Sequence, residues 1–184
     1  QTDGVEMKYK DTKDVTKTIV IKREKKEECK NVNFDPSAVY GGVHQAADSV
    51  DANCKRSFVT YMGKISPMKY SANVETFGEL ETLQFIEKAK NDTNLLLVDS
   101  RTENWFFHET IPGAVNVPYV YLKQSQYPDE FEEYLAILGV KKVNGKYDFT
   151  NAKELLMFCN GAWCGQSPES MKYLIEIGYP ESKL

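Results

Sequence analysis

Short apolar runs alternate with amphipathic segments along the chain from about residue 76 onward. The runs NLLLV, AVNVP and ELLMF have the length and composition of buried strands. Between and after them, segments such as PDEFEEYLAILG and SPESMKYLIEIG repeat apolar positions three or four residues apart, which predicts helices. Apolar strands separated by helices are typical of a parallel sheet covered on both faces. The pattern therefore predicts an α/β fold, with a parallel sheet flanked by helices.

Local signals indicate where the predicted helices begin and end. The spacing of Thr76 and Glu79 is that of a capping box, which places the start of a first helix after Thr76. In the last helix, we expect Ser167 as the N-cap, Pro168 as the first helical residue and Gly178 at the end. This last helix directly follows a loop that contains cysteine.

Residues 1–75 differ from the rest of the chain in composition. They are polar and contain charge clusters such as KREKKEECK, and only KTIVIKR and SFVTYMGKI have the residue types of strands. We expect an extension of mostly β and loop structure over residues 1–75, folded onto a domain over residues 76–184. Cys29 and Cys54 both lie in this polar segment, and we expect a disulfide between them to pin the extension.

Charge and composition exclude several classes of function. The net charge is -4, and the 23 basic and 27 acidic residues are well mixed, so no basic stripe indicates nucleic-acid binding. No apolar run approaches the roughly 20 residues of a membrane helix. With four cysteines and two histidines, no zinc-binding spacing can be assembled, and we expect no metal and no cofactor.

The cysteine count and the first residue bear on localisation. The even number of cysteines is compatible with an oxidising compartment as well as with a reducing one. The sequence begins with Gln1 rather than Met, which is compatible with removal of a signal peptide. We expect a periplasmic or secreted protein.

Cys159 directly follows the apolar run LLMF, which predicts that it lies at the carboxyl end of a strand. Parallel sheets bind ligands at this edge, where helix N-termini present free backbone amides. The small residues of the following loop allow its amides to turn towards an anion. We therefore predict a lowered pKa for Cys159 and a nucleophilic thiol. The alternative is that Cys159 is a small packing residue.

Two stretches resemble the signatures of the rhodanese family. LLLVDSRTENWFFHETIPGAVNVP resembles the first signature, a strand that ends in Asp-x-Arg and is followed by Ile-Pro-Gly-Ala-x-Asn-x-Pro. The matching residues are Asp99, Arg101, Ile111, Pro112, Gly113, Ala114, Asn116 and Pro118. LLMFCNGAWCGQSPESMKYLIEIGYP resembles the second, a strand, an active-site cysteine loop, a helix and Gly-Tyr. The resemblance covers roughly residues 76–184 and implies a rhodanese-like fold and sulfane-sulfur transfer through a cysteine persulfide.

The resemblance also implies a site. Cys159 falls on the nucleophile, and the loop that holds the persulfide and the incoming anion is expected to consist of Asn160, Gly161, Ala162, Trp163, Cys164, Gly165 and Gln166. Arg101 is expected either in a structural ion pair with Asp99 or as a substrate-binding residue at the mouth of the site. We expect Trp105 to pack against the sheet. The implied partners are a small sulfur donor and a thiol acceptor, which is a small molecule or a protein.

Three features depart from the family. The loop is longer than the common rhodanese loop, and Gln166 lies near the place of an arginine, which puts affinity for thiosulfate in doubt. The family continues past Gly-Tyr into further elements, so we expect the domain to lack its C-terminal end. Cys164 lies five residues after Cys159 and is close enough to attack a persulfide or to form a disulfide. The alternative is a second packing residue.

Three functions are compatible with these observations. The first is an exported sulfurtransferase with an N-terminal extension, in which Cys159 passes sulfur to a thiol acceptor and Cys164 takes part. The second is a rhodanese-like module that binds a protein partner or has a structural role in a larger assembly. The missing loop arginine and the long extension favour it. The third is a thiol–disulfide switch formed by Cys159 and Cys164.

Overall fold

The computed structural model describes residues 4–22, 27–29, 50–55, 70–161 and 164–184. Its strands are β1 (Val5–Lys10), β2 (Thr16–Ile21), β3 (Leu95–Asp99), β4 (Val115–Asn116), β5 (Lys141–Val143), β6 (Lys146–Asp148) and β7 (Glu154–Phe158). Its α-helices are α1 (Ala52–Lys55), α2 (Glu79–Ala89), α3 (Glu103–His108), α4 (Pro128–Ile137) and α5 (Gln166–Glu176). Short 3-10 helices cover Glu27–Cys29, Tyr119–Leu122 and Glu181–Lys183. The predicted strand SFVTYMGKI lies outside the described residues.

Three parallel strands form the central sheet, in the order β4-β3-β7. In this register Asp99 at the end of β3 lies opposite Phe158 at the end of β7 and Asn116 at the end of β4. The three strands therefore end at one edge of the sheet. The predicted α/β fold, a parallel sheet flanked by helices, is confirmed.

The side chains of β3 and β7 alternate between two hydrophobic cores, one on each face of the sheet. Val98 and Leu155 pack in one core with side chains from α4 and α5, namely Phe131, Leu135 and Leu174. Leu97 packs in the other core with side chains of α2, namely Leu83, Phe85 and Ile86. Because both faces are covered, NLLLV and ELLMF are continuous apolar runs rather than alternating ones.

An antiparallel hairpin of β1 and β2 covers part of the second core. Val5 pairs with Ile21 in the register of this hairpin. The side chain of Val5 is buried in the same cluster as the α2 side chains, and Met7 and Ile21 pack against that cluster. The hairpin thus packs residues of the N-terminal segment against α2 and the second core. KTIVIKR, which was predicted to form a strand, overlaps β2 over residues 17–21.

A disulfide joins Cys29 to Cys54, as the sequence led us to expect. Their Cα atoms are 5.3 Å apart, and the bond connects the 3-10 helix Glu27–Cys29 to α1. Both side chains are buried. On the chain-entropy account, closing a loop of this length stabilises the folded state by about 3 kcal/mol.

The predicted starts of two helices are each wrong by two residues. α2 begins at Glu79 with Gly78 as its cap, and the amide of Gly78 donates to a carboxylate oxygen of Glu81 at 3.1 Å. The capping interaction therefore lies two residues beyond the predicted one at Thr76. α5 begins at Gln166, so Ser167 is its second residue and not its N-cap.

The first turn of α5 accommodates both Ser167 and Pro168. Pro168 is the third helical residue, where a missing N–H costs little because first-turn amides have no partner within the helix. At its other end, Gly178 has a φ of +95°, and the amide of Tyr179 donates to the Leu174 carbonyl at 2.9 Å. This left-handed turn ends the helix, as predicted for Gly178.

Two valines in the hairpin test whether its packing stabilises the protein. Val5 is buried, whereas Val20, on the paired strand, has 45% of its surface exposed. We expect Val5→Ala to lower the free energy of unfolding by about 2 kcal/mol, because it removes buried methyl groups. Val20→Ala, the matched control, should change it by less than about 0.5 kcal/mol. Urea denaturation followed by circular dichroism measures both. Equal effects of the two substitutions would contradict the packing of β1 on the second core.

Candidate functional site

Cys159 is the residue directly after β7, at the carboxyl edge of the parallel sheet. Its Sγ lies 3.4 Å from the hydroxyl of Ser167, and it donates to the backbone carbonyl of Cys164 at 3.5 Å. Ser167 belongs to the first turn of α5. The thiol therefore lies against the N-terminus of a helix, which is the position that the sequence predicted.

The pKa of the Cys159 thiol is shifted in the direction opposite to the prediction. Burial raises this pKa, and hydrogen bonding to the side chain of Cys164 raises it further. The hydroxyl and the backbone amide of Ser167 lower it, but their effect is smaller. The predicted lowering is therefore wrong. Removing the sulfur from water destabilises a thiolate more than two donors from the helix stabilise it.

A buried ion pair lies next to Cys159, at the end of the neighbouring strand. The Asp99 carboxylate is fully buried, and Arg101 donates to it through Nε at 2.9 Å and through Nη2 at 2.7 Å. The Thr110 hydroxyl donates to the same carboxylate at 2.8 Å. The hydrogen bond to Asp99 is also the main reason why the pKa of Arg101 is raised. The ion pair that the sequence suggested is confirmed.

The Arg101 guanidinium lies between two aromatic rings and faces the cysteine loop. Its carbon is 5.8 Å from the ring centre of Trp105 and 5.9 Å from that of Phe158, the residue before Cys159. Its Nη1 lies 3.5 Å from Oδ1 of Asn160, at the long end of hydrogen-bond distances. A charged Cys159 also raises the pKa of Arg101, which shows that cation and thiol are within electrostatic reach.

Trp105 does not pack against the sheet as predicted. It is 50% exposed, and none of the residues of α3 is buried. The physical reason is that α3 has only six residues and buries none of them. The Trp105 ring lies against the Arg101 guanidinium instead of the core.

Asn116 and Ser100 hold the turn after β3 against the rest of the sheet. The Asn116 side-chain amide donates to the carbonyls of Asp99 and Arg101 at 2.9 and 2.8 Å. The Ser100 amide donates to the Phe158 carbonyl at 2.9 Å. These bonds fix Arg101 relative to the residue that precedes Cys159. Asn116 belongs to the first sequence signature, but its hydrogen bonds to the turn after β3 were not predicted.

The cysteine loop turns back on itself before α5. Gly161 has a φ of +152°, and its carbonyl accepts a hydrogen bond from the amide of Cys164 at 2.9 Å. The amide of Cys164 is therefore engaged within the loop rather than directed at an anion. The Asn160 side-chain amide lies 3.8 Å from Sγ of Cys164, and both loop cysteines are free thiols. Ala162 and Trp163, which were predicted to line the site, lie outside the described residues.

The last two predicted loop residues form the start of α5. Gly165 is the N-cap, and Gln166 is the first helical residue. Oε1 of Gln166 is buried and has no hydrogen-bond partner among the described residues. Gln166 thus supplies no charge at the start of α5. Arg101, which comes from the end of β3, is the cation that contacts the described part of the loop.

Ser167 is a residue of the candidate site that the sequence did not predict. It was expected to cap α5, yet its hydroxyl contacts the sulfur of Cys159. The signal in the sequence was its place in the first turn of the helix after the cysteine loop, where side chains face the end of the preceding strand.

The described residues contain no cluster of three or more His, Cys, Asp or Glu side chains that could hold a metal ion. In the same parts of the chain, none of the helices has both the length and the apolar character that crossing a membrane requires.

Comparison with known proteins identifies the domain. A family model described as Rhodanese-like domain matches residues 82–183. No curated protein and no solved structure matches the chain. The matched segment contains the parallel sheet, the Asp99–Arg101 pair, Cys159 and the first turn of α5. Since the match covers more than half of the chain and includes this site, the chain belongs to the rhodanese-like domain family, a family of the sulfurtransferase type.

Proposed function

We propose that this protein transfers sulfane sulfur through a persulfide on Cys159. The observation that carries the proposal is the position of Cys159 Sγ, 3.4 Å from the Ser167 hydroxyl at the N-terminus of α5. A persulfide that extends from this sulfur is anionic near neutral pH, and a helix N-terminus stabilises negative charge. Family membership supports a sulfur donor and a sulfur acceptor as the partners.

Sulfur uptake is a displacement at the donor. The Cys159 thiolate attacks the sulfane sulfur of an anionic donor, and the sulfur bond within the donor breaks. The leaving group takes the electron pair of that bond, and Cys159 carries one additional sulfur atom. An acceptor thiolate then attacks the outer sulfur, which leaves as the acceptor's persulfide, and the Cys159 thiolate is regenerated.

Cys164 provides a second route for the sulfur, inside the loop. Its thiolate attacks Sγ of the Cys159 persulfide, and the outer sulfur leaves as hydrosulfide while a Cys159–Cys164 disulfide forms. Over loading and release together, the two cysteine thiolates lose two electrons in total as they form the disulfide. The sulfane sulfur gains these two electrons and leaves as hydrosulfide. An external thiol then reduces the disulfide. The contact between the two residues supports this role, because the Cys164 carbonyl lies 3.5 Å from Cys159 Sγ.

We also propose that the protein works in an oxidising compartment, the periplasm or the extracellular space. The buried Cys29–Cys54 disulfide supports this proposal, because such bonds persist mainly outside the reducing cytosol. A protein from a reducing compartment would hold these two cysteines as thiols, which labelling of the purified protein with a thiol reagent would detect.

Replacement of Cys159 tests the proposed nucleophile. We expect Cys159→Ser to reduce sulfur transfer to a thiol acceptor by at least about 1000-fold, because a hydroxyl cannot carry a persulfide. The far-ultraviolet circular dichroism should stay unchanged, since the substitution is nearly isosteric. A variant with normal turnover would show that another residue carries the sulfur. A wild-type protein that transfers no sulfur would instead favour the second function, a rhodanese-like module that binds a protein partner or has a structural role.

The charge of the site leads to a prediction about donors. Arg101 is already paired with Asp99, and Gln166 is neutral, so a dianion such as thiosulfate should be used more poorly than a persulfide or polysulfide. Gln166→Arg should lower the Michaelis constant for thiosulfate roughly tenfold by adding one charge-assisted hydrogen bond. Gln84→Arg, which adds the same charge on the exposed side of α2, is the control. Tight thiosulfate binding by the unchanged protein would contradict the argument.

The lifetime of the persulfide tests the role of Cys164. After a pulse of donor without external thiol, we expect the persulfide to last at least about ten times longer in Cys164→Ala than in the wild type. The reason is that an intramolecular thiol acts at a high effective concentration. Mass spectrometry of the intact protein at successive times measures the lifetime. Equal lifetimes would make Cys164 a packing residue.

A further inference from the structure

We propose that Asn160 positions the Cys164 thiol for its attack on the Cys159 persulfide, and that Arg101 fixes the orientation of the Asn160 amide. This inference rests on the proposed function, since it concerns the step that removes sulfur from Cys159. It assigns Asn160 a role as a positioning residue, which acts through Cys164 and not on the sulfur donor.

The Asn160 side chain bridges Arg101 and Cys164. Its Oδ1 lies 3.5 Å from Nη1 of Arg101, and its Nδ2 lies 3.8 Å from Sγ of Cys164. A guanidinium has donors and no acceptor, so the oxygen of the amide must face Arg101. The amide NH₂ group therefore faces the sulfur. Its N–H can donate to that sulfur, which holds Sγ of Cys164 at a fixed place in the loop.

Arg101 is held firmly enough to impose this orientation. Its Nε and Nη2 are bound to the buried Asp99 carboxylate, and Nη2 also donates to the Glu109 carbonyl. The rings of Trp105 and Phe158 flank the guanidinium. Nη1 is left as the part of the guanidinium that reaches Asn160. A chain of contacts thus runs from the buried Asp99 carboxylate through Arg101 and Asn160 to the Cys164 thiol.

Different side chains contact the two loop sulfurs. The hydroxyl of Ser167 contacts Sγ of Cys159, whereas the amide of Asn160 contacts Sγ of Cys164. The Cys164 carbonyl lies 3.5 Å from Sγ of Cys159, so the two cysteines lie next to each other. Their side chains are also hydrogen-bonded to each other.

Three elements carry the charged and titratable groups at this edge of the sheet. Asp99 is the last residue of β3, Arg101 lies two residues further on, and Cys159 follows β7. The first turn of α5 carries Glu169, whose carboxylate is paired with Lys123 at 3.2 Å. Within the described part of the chain, Arg101 is thus the charged side chain that contacts Asn160, and it does so on the side away from Cys164.

Asn160→Asp tests the inference with little change of shape. A carboxylate still accepts from Arg101, but it presents an oxygen instead of an N–H to the sulfur of Cys164. We expect hydrosulfide release at pH 7 to slow about tenfold, and the midpoint of its pH dependence to rise by about one unit. Because the new carboxylate can also slow the uptake of an anionic donor, the release rate is calculated per sulfur atom that the variant carries. Asn160 is exposed, so the variant should fold.

The experiment is a single turnover with inorganic polysulfide, without external thiol. After removal of excess polysulfide, intact-protein mass spectrometry follows the bound sulfur, and a sulfide assay follows the hydrosulfide released between pH 6 and pH 10. Asn151→Asp, which adds the same charge at an exposed turn, is the matched control and should behave as the wild type.

The outcomes separate the inference from the proposed function. A variant whose bound sulfur is released slowly, with the higher midpoint, supports the role of Asn160. A variant whose bound sulfur is released with the wild-type rate and midpoint would overturn that role and leave the proposed function intact. A wild-type protein that neither gains sulfur nor releases hydrosulfide overturns the proposed function, and the inference with it.

Discussion

The arrangement of the site depends on one buried ion pair, between Asp99 and Arg101. A fully buried carboxylate is stable only when its charge is compensated and its oxygens are hydrogen-bonded, and here Arg101 and Thr110 meet both requirements. Removal of one partner from such a pair costs about 3–5 kcal/mol. The pair also gives the guanidinium a fixed position, from which Nη1 reaches Asn160. The geometry of the cysteine loop is thereby coupled to the core of the sheet.

The same pair determines the electrostatics of the site. Asp99 offsets much of the charge of Arg101. The stabilisation of an anion in the loop therefore depends strongly on hydrogen-bond donors at the start of α5. Burial raises the pKa of the Cys159 thiol, so the resting sulfur is mostly protonated near neutral pH. The persulfide of the proposed function would carry its charge one atom beyond Sγ. Donors at the start of α5 would then suit the sulfur-loaded form better than the resting thiol.

The fold was largely predictable, because its determinants are local. The runs NLLLV and ELLMF are buried on both faces of the sheet, and this burial produces the continuous apolar pattern that predicted strands. The place of Cys159 followed from the end of such a strand. The direction of its pKa shift was not predictable, because it depends on how far tertiary packing removes the sulfur from water. Ser167 was assigned to a cap because the sequence does not show where the loop ends and α5 begins. The exposure of Trp105 depends on the shortness of α3.

The central claim is that Cys159 carries the transferred sulfur, and locating the added sulfur atom tests it most directly. No Lys or Arg lies between Lys153 and Lys172, so one tryptic peptide contains both loop cysteines. Brief treatment with polysulfide, alkylation and fragmentation of this peptide assign the added sulfur to one of them. The account predicts one additional sulfur atom on fragments that contain Cys159 and lack Cys164. An added sulfur found on Cys164 alone, or no added sulfur on this peptide of the Cys164→Ala variant, would contradict it.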